Sequence, residues 1–164
     1  MMYPSIPIKL QNLVEDGYMI VIITNQASVG KGDVTMNQMK RKIEKVAKDL
    51  KVNVCFLIAA YYDIFRKPLI GSFEYIQKLF PVPLTKENCF YCGDMVGCTL
   101  KWLYLSLFLV GGSKKVSDAN FARNCDIPIY HPKAFFQGTT LLPTVPFPYP
   151  PIIFDPKTIP MRGM

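Results

Sequence analysis

A run of apolar residues, Met19-Ile20-Val21-Ile22-Ile23, stops abruptly at Thr24-Asn25-Gln26, and this stretch constrains the fold more than any other. Ile20 to Ile23 are all β-branched, which predicts a strand buried on both faces, as in a parallel sheet. The hydroxyl and amide groups that follow fall at the strand's carboxyl end, where ligands sit in open α/β sheets. Just beyond, Gly30 and Gly32 flank Lys31. That pattern suits a loop bringing a cation and bare backbone amides to an anion. An ordinary strand followed by a Gly-rich turn fits the same residues.

On either side of this strand the chain alternates helical and strand patterns. Tyr3 to Asp16 predicts a short helix from about Pro7, ended at Gly17. Asp33 to Leu50 predicts a helix with Thr35 as N-cap and Met39, Ile43, Val46, Ala47 and Leu50 on one face. Its other face, with Lys40, Arg41, Lys42, Lys45 and Lys48, reads as solvated. Val52 to Ala60 is a second strand pattern. It leads into Tyr61-Tyr62-Asp63-Ile64-Phe65-Arg66-Lys67-Pro68, where Pro68 disfavours helix at Lys67 and predicts a loop at a strand end. Ser72 to Phe80 reads as a helix, and Cys89 to Cys92 as a short strand ending in Gly93-Asp94. Ser117 starts a short helix as its cap, Ile127 to Tyr130 is a last short strand, and Pro132 to Phe136 a turn of helix. Alternation of this kind implies an α/β chain with a parallel sheet.

The 164 residues fit a single domain, here placed at 1–140, with 99–113 an atypical apolar insertion and 141–164 a tail. That tail holds half of the 14 prolines and is expected to be extended, a linker. Lysine and arginine outnumber the acids 19 to 12, a net charge of +7 that suits an anionic partner. Five cysteines without a secretory signal pattern point to a reduced, intracellular protein. Cys89 and Cys92 form a lone C-x-x-C, and with His131 the one histidine, a zinc site lacks ligands and a Ser-His or Cys-His machine lacks its base. Trp102 to Val110 is apolar but far shorter than the roughly 20 residues of a membrane-spanning helix.

Three successive strand ends present Thr24, Lys67 and Asp94, and in a right-handed parallel sheet those ends share one edge. A hydroxyl, an ammonium and a carboxylate together make a site for a phosphate and Mg²⁺. The carboxylate holds the hard cation, the lysine neutralises phosphoryl charge and the hydroxyl donates to a phosphoryl oxygen. A strand terminator, a surface charge and a turn aspartate account for the same residues one at a time.

With these residues the chain resembles the haloacid-dehalogenase-like phosphatases, and within them the polynucleotide kinase 3′-phosphatase family. The matching segments are Asp16-Gly17-Tyr18 with Ile22-Ile23-Thr24-Asn25-Gln26, then Val29-Gly30-Lys31-Gly32 for that family's I-G-R-G. Phe65-Arg66-Lys67-Pro68 with Gly71 resembles Y-R-K-P-x-x-G, Gly93-Asp94 with Gly97 resembles G-D-x-x-G, and Phe154-Asp155-Pro156 resembles a late F-D-P. Asp118, Phe121-Ala122 and Asn124 are similar to the stretch after the second acidic motif. Histidinol-phosphate and heptose-bisphosphate phosphatases share T-N-Q and R-K-P but place zinc-loop cysteines before R-K-P, where Tyr61 to Phe65 contains none.

The resemblance implies a three-layer Rossmann-like parallel sheet of the haloacid-dehalogenase type. It also implies a Mg²⁺-dependent phosphatase that clears 3′-phosphates from DNA breaks, working in the nucleus beside other repair proteins. Thr24 would bind the transferred phosphoryl group with Asn25, Lys67 would steady nucleophile and phosphate, and Asp94 would ligate Mg²⁺. Asp118 would orient Lys67, and Lys31 and Arg66 would touch the DNA backbone.

The chain also departs from the pattern. The family begins with a strand ending in D-x-D-G-T, whose first Asp attacks phosphorus, and no D-x-D occurs here. That strand is the central one of the family's sheet, so the expected fold is a sheet lacking it, two half-sheets with an unfilled slot. Cys98 stands where Arg is usual, and a P-loop kinase motif is absent. Two function classes follow: the phosphatase portion of an end-repair enzyme, or a non-catalytic remnant that binds DNA ends or a protein. Thr99 to Gly112 reads as translated non-coding sequence, because Gly97 and Lys114 would otherwise join naturally. A transcript lacking those codons is the expected finding, and a contiguous transcript that encodes them would oppose it.

Overall fold

The computed structural model describes residues 4–94 and 116–138. The apolar insertion, Cys98, Gly97, the F-D-P segment and the Pro-rich tail lie outside the described residues. Within them the chain is mixed α/β, with helices and strands in alternation.

Helix α1 spans Ile6–Glu15 with a proline in its first turn, and Gly17 closes it at φ 89°, a backbone conformation that suits glycine. Strand β1 spans Ile20–Asn25. It pairs in parallel with β2, Val54–Ala59, in a register running from Ile20 opposite Val54 to Asn25 opposite Ala59. Between them lie a helical turn α2, Ala27–Gly30, and the long helix α3, Met36–Leu50. A full capping box starts α3: the Gln38 amide N–H donates to the Thr35 hydroxyl, and Thr35 N–H donates to the Gln38 side chain. Met39 and Leu50 of α3 are buried while its basic residues are exposed, so the charged face is a solvated one.

Helix α4, Gly71–Leu79, follows the loop after β2. The second pair of strands is short: β3, Tyr91–Cys92, lies parallel to β4, Ile129–Tyr130, with α5, Ser117–Asn124, between them in sequence. Helix α6, Pro132–Gln137, completes the described chain, and its N-cap is His131, whose Nδ1 accepts the Lys133 amide N–H at 3.2 Å. Under β3 and β4 the fully buried Phe121 stacks edge-on with Tyr91 at 5.2 Å, and Phe90 packs among Tyr18, Tyr130 and Phe135. Helix α1 closes over this end, since the Ser5 hydroxyl donates to the Phe136 carbonyl at 2.7 Å and Lys9 Nζ donates to that of Phe135.

Three details differ from the sequence reading. The β1 side chains are half-buried rather than buried on both faces, because among the described residues β2 is the only strand β1 pairs with. Ala27–Gly30 is helical where a loop was expected. Gly30 is needed there for close packing: a Cβ on it would lie 2.3 Å from the Ala60 carbonyl oxygen. Ser117 lies inside α5, and the cap position falls to Val116, which has no side-chain acceptor to offer.

The loop 61–70 is pinned to the start of α4. Gly71 N–H donates to the Ile64 carbonyl at 3.0 Å, and the buried Ser72 hydroxyl donates to the Phe65 carbonyl at 2.7 Å. A Cβ on Gly71 would stand 2.5 Å from that same Ile64 oxygen, a backbone atom that cannot swing aside. Gly71→Ala is therefore expected to destabilise the fold by about 1–3 kcal/mol, read as a lower urea midpoint at unchanged slope. An unchanged midpoint would show that the loop is not held as described.

Candidate functional site

The carboxyl ends of β1 and β2 and the start of β3 each contribute to one hydrogen-bonded group. At the end of β1, the Asn25 side chain clamps the backbone of Lys67 from both sides: Lys67 N–H donates to Asn25 Oδ1 and Asn25 Nδ2 donates to the Lys67 carbonyl, each at 3.0 Å. On the far side of the loop, Asn124 Nδ2 of α5 donates to the Pro68 carbonyl at 3.0 Å. Lys67 is thus held where its side chain meets two partners. Its Nζ donates to Asp118 Oδ1 at 2.7 Å and to the Tyr91 hydroxyl at 2.6 Å, and the Tyr91 O–H donates on to Asp118 at 3.2 Å. The Lys67 and Asp118 side chains are only 10% and 5% exposed. Charge-assisted bonds of this kind, in a half-dry setting, fix the ammonium in place.

Asp94 lies one residue past Gly93, whose N–H donates to the Tyr130 carbonyl at 3.1 Å. A Cβ on Gly93 would stand 2.7 Å from Asp118 Oδ2 and from the Tyr91 ring, so only glycine lets the Gly93-Asp94 turn sit against the lysine's partners. Asp94 is exposed, and its charge reaches both Tyr91 and Cys92. Thr24, opposite Ile58 in the ladder, accepts a hydrogen bond from Gln26 Nε2 at 2.9 Å, which leaves its own O–H as a donor. Asn25, Lys67 and Asp118 therefore form one connected group, and Asp94 stands beside that group.

Lys31 and Arg66 are not part of that group. Lys31 is exposed at the end of α2. The Arg66 guanidinium lies over the Tyr62 ring at 4.3 Å from its centroid. Conversely, Tyr91 belongs to the site, although the sequence marks it only as part of a strand. The signal was faint: a tyrosine at a short strand's start, two residues before Gly93-Asp94. Burial, and next the Asp118 charge, push its phenol far above the ordinary tyrosine range, so it stays protonated and keeps its proton for Asp118.

Residues 1–136 match the family model described as polynucleotide kinase 3 phosphatase. An uncharacterised 20.8 kDa protein from the FGF-VUBI intergenic region of Autographa californica nuclear polyhedrosis virus is 34% identical over 131 residues, covering 79% of this chain and 67% of its own. The polynucleotide 3′-phosphatase ZDP of Arabidopsis thaliana is 24% identical, over 87% of this chain and 21% of its own. The bifunctional polynucleotide phosphatase/kinase of Schizosaccharomyces pombe is 27% identical, over 86% of this chain and 32% of its own. The chain thus spans about a fifth to a third of the length of these two relatives.

The thiols near the site have no metal-binding arrangement. Among the described residues no three or more His, Cys, Asp or Glu side chains gather as a metal cluster, and Cys89 and Cys92 are free. Burial, with Asp118 and then Asp94 adding to it, pushes the Cys92 thiol up to about 11, and burial above all pushes Cys125 up to about 12. An unfolded thiol ionises near 9.0. Between 9 and 11 the unfolded chain therefore gives up protons that the native chain keeps, and native stability falls as pH rises through that window. Urea midpoints measured at pH 8, 9, 10 and 11 should decline step by step above 9, and a flat series would contradict the burial of these thiols.

Proposed function

The chain belongs to the polynucleotide kinase 3 phosphatase family, and from that membership we propose that it forms the phosphate-holding part of a polynucleotide 3′-phosphatase acting at DNA breaks. The observation that carries this reading is the Lys67 ammonium, held by Asp118 and Tyr91 at the strand ends, with one N–H that has no partner among the described residues and is available to a phosphoryl oxygen. A cation so preorganised binds a phosphate dianion without first having to be ordered. Thr24 O–H donates to a second phosphoryl oxygen, and Asn25 keeps the Lys67 backbone in register with it. Lys31 and Arg66 meet the phosphodiester backbone upstream of the end and make affinity depend on salt.

Mg²⁺ fits what the residues offer. Asp118 is committed to Lys67 and Tyr91, whereas Asp94 is an exposed carboxylate at the neighbouring strand end. This ion takes one or two carboxylates, water and the substrate's own phosphate. Held there, it would neutralise charge on the phosphoryl group. The attacking carboxylate is assigned to a D-x-D strand that this sequence does not contain. Such a strand would lie between β1 and β3 and make the two strand pairs halves of one haloacid-dehalogenase-type sheet. Clearing a 3′-phosphate to a hydroxyl would ready a break for repair synthesis and ligation in the nucleus. The residues of this chain would bind and orient the end, and the attacking carboxylate would come from that strand.

A single-stranded oligonucleotide ending in a 3′-phosphate is expected to bind more tightly than its 3′-hydroxyl counterpart by about tenfold or more, a difference that Lys67→Ala abolishes. The same chain extended ahead of Met1 by a D-x-D-G-T strand, and relieved of 99–113, should release inorganic phosphate in Mg²⁺. Equal affinity for the two ends, with no phosphate released by the extended chain, would overturn the proposal.

A further inference from the structure

Two aromatic rings at the start of the Lys67 loop have been given no role in phosphate binding. Tyr61 and Tyr62 follow the end of β2 directly and are 64% and 74% exposed. Neither ring hangs loose. The Tyr61 ring sits against the turn of α2, where a Cβ on Gly30 would stand 3.0 Å from its Cδ1. The Tyr62 ring is backed by the Arg66 guanidinium, whose buried Nη1 has no hydrogen-bond acceptor among the described residues. Among the described residues, stacking on the ring is the contact that holds that cation. Each tyrosine is thus fixed from behind and open in front, so little rotamer freedom remains to be lost when something covers it.

Charge narrows what that something is. Lys31 adjoins Gly30 on the Tyr61 side, and Arg66 and Lys67 follow on the Tyr62 side. The acid within the loop, Asp63, is exposed, its Oδ1 accepting the Phe65 N–H at 3.0 Å, and these cations outnumber it. Exposed, pre-ordered aromatic faces among cations match the means by which proteins hold single-stranded nucleic acid, with bases stacked on rings and the backbone facing positive charge. An acidic peptide would satisfy the charges but leave the flat faces unused.

We propose that Tyr61 and Tyr62 form a stacking site for the unpaired bases that adjoin the 3′-terminal phosphate. This rests on the reading of the Lys67 site as a terminal-phosphate pocket and extends it to the bases behind that phosphate, which the two rings would hold by their faces. Duplex bases keep their faces against one another and offer none to a ring until they unpair.

The test uses the full chain and three fluorescently labelled ligands of equal length: a 3′-phosphorylated tetranucleotide, the same strand with its bases removed, and the same strand with a 3′-hydroxyl. The intact 3′-phosphorylated strand should bind more tightly than the abasic one, and Tyr61→Ala with Tyr62→Ala should remove that advantage, by about tenfold for each base unstacked. Tyr62→Phe, which keeps the ring, should retain it. Urea midpoints of the variants report their folding separately. Equal binding of the intact and abasic strands, or an advantage that survives loss of both rings, would overturn the stacking site. The 3′-hydroxyl strand reads the phosphate pocket on its own: if it binds as well as the phosphate, that pocket fails, while the base-dependent difference still judges the tyrosines.

Discussion

A lysine ammonium that is nine-tenths withdrawn from water must be met by a counter-charge, and the structure is arranged around meeting that requirement at Lys67. Asp118 supplies the charge at 2.7 Å and Tyr91 a hydroxyl at 2.6 Å. Removing water from both ions costs several kcal/mol each, roughly offset by their attraction only if geometry is good and remaining hydrogen bonds are made. The Asn25 and Asn124 amides provide that geometry by holding the backbone on either side of the lysine.

The same contacts join the two parts of the described chain. Strands β1 and β2 form one parallel pair and β3 and β4 another, and among the described residues no ladder links the pairs. Lys67 comes from the loop after β2, Tyr91 from β3 and Asp118 from α5, so their triangle reaches across the division. Asn124 does likewise from the other end of α5. The site and the joint between the two parts are thus one set of interactions. Rigidity in loop 61–70 follows from it, and so does the poise of the rings that the loop carries.

What the sequence made legible was local. Four β-branched residues in a row marked β1, Thr35 with Gln38 marked the start of α3, and polar residues after each apolar run marked the strand ends. The less legible features depend on residues far apart in the chain. Tyr91 joins the site only because Lys67, 24 residues away, and Asp118, 27 away, converge on it. Half-burial of β1 depends on which strands lie beside it, which periodicity cannot report. The glycines illustrate both sides. Gly30 suggested an anion loop, yet its place is set by the Ala60 carbonyl across the sheet end, whereas Gly93 stood next to a predicted site residue and does border the site.

We propose that the Lys67 ammonium, held by Asp118 and Tyr91, receives a terminal phosphate. Nitrogen-15 NMR of the lysine side chains tests it at the atom concerned. An ammonium so held exchanges its protons slowly enough to give its own signal, identified by its loss in Lys67→Arg. That signal should shift on titration with a 3′-phosphorylated oligonucleotide and stay in place with the 3′-hydroxyl form. A Lys67 signal that ignores the phosphate, while the oligonucleotide binds, would show that the phosphate sits elsewhere.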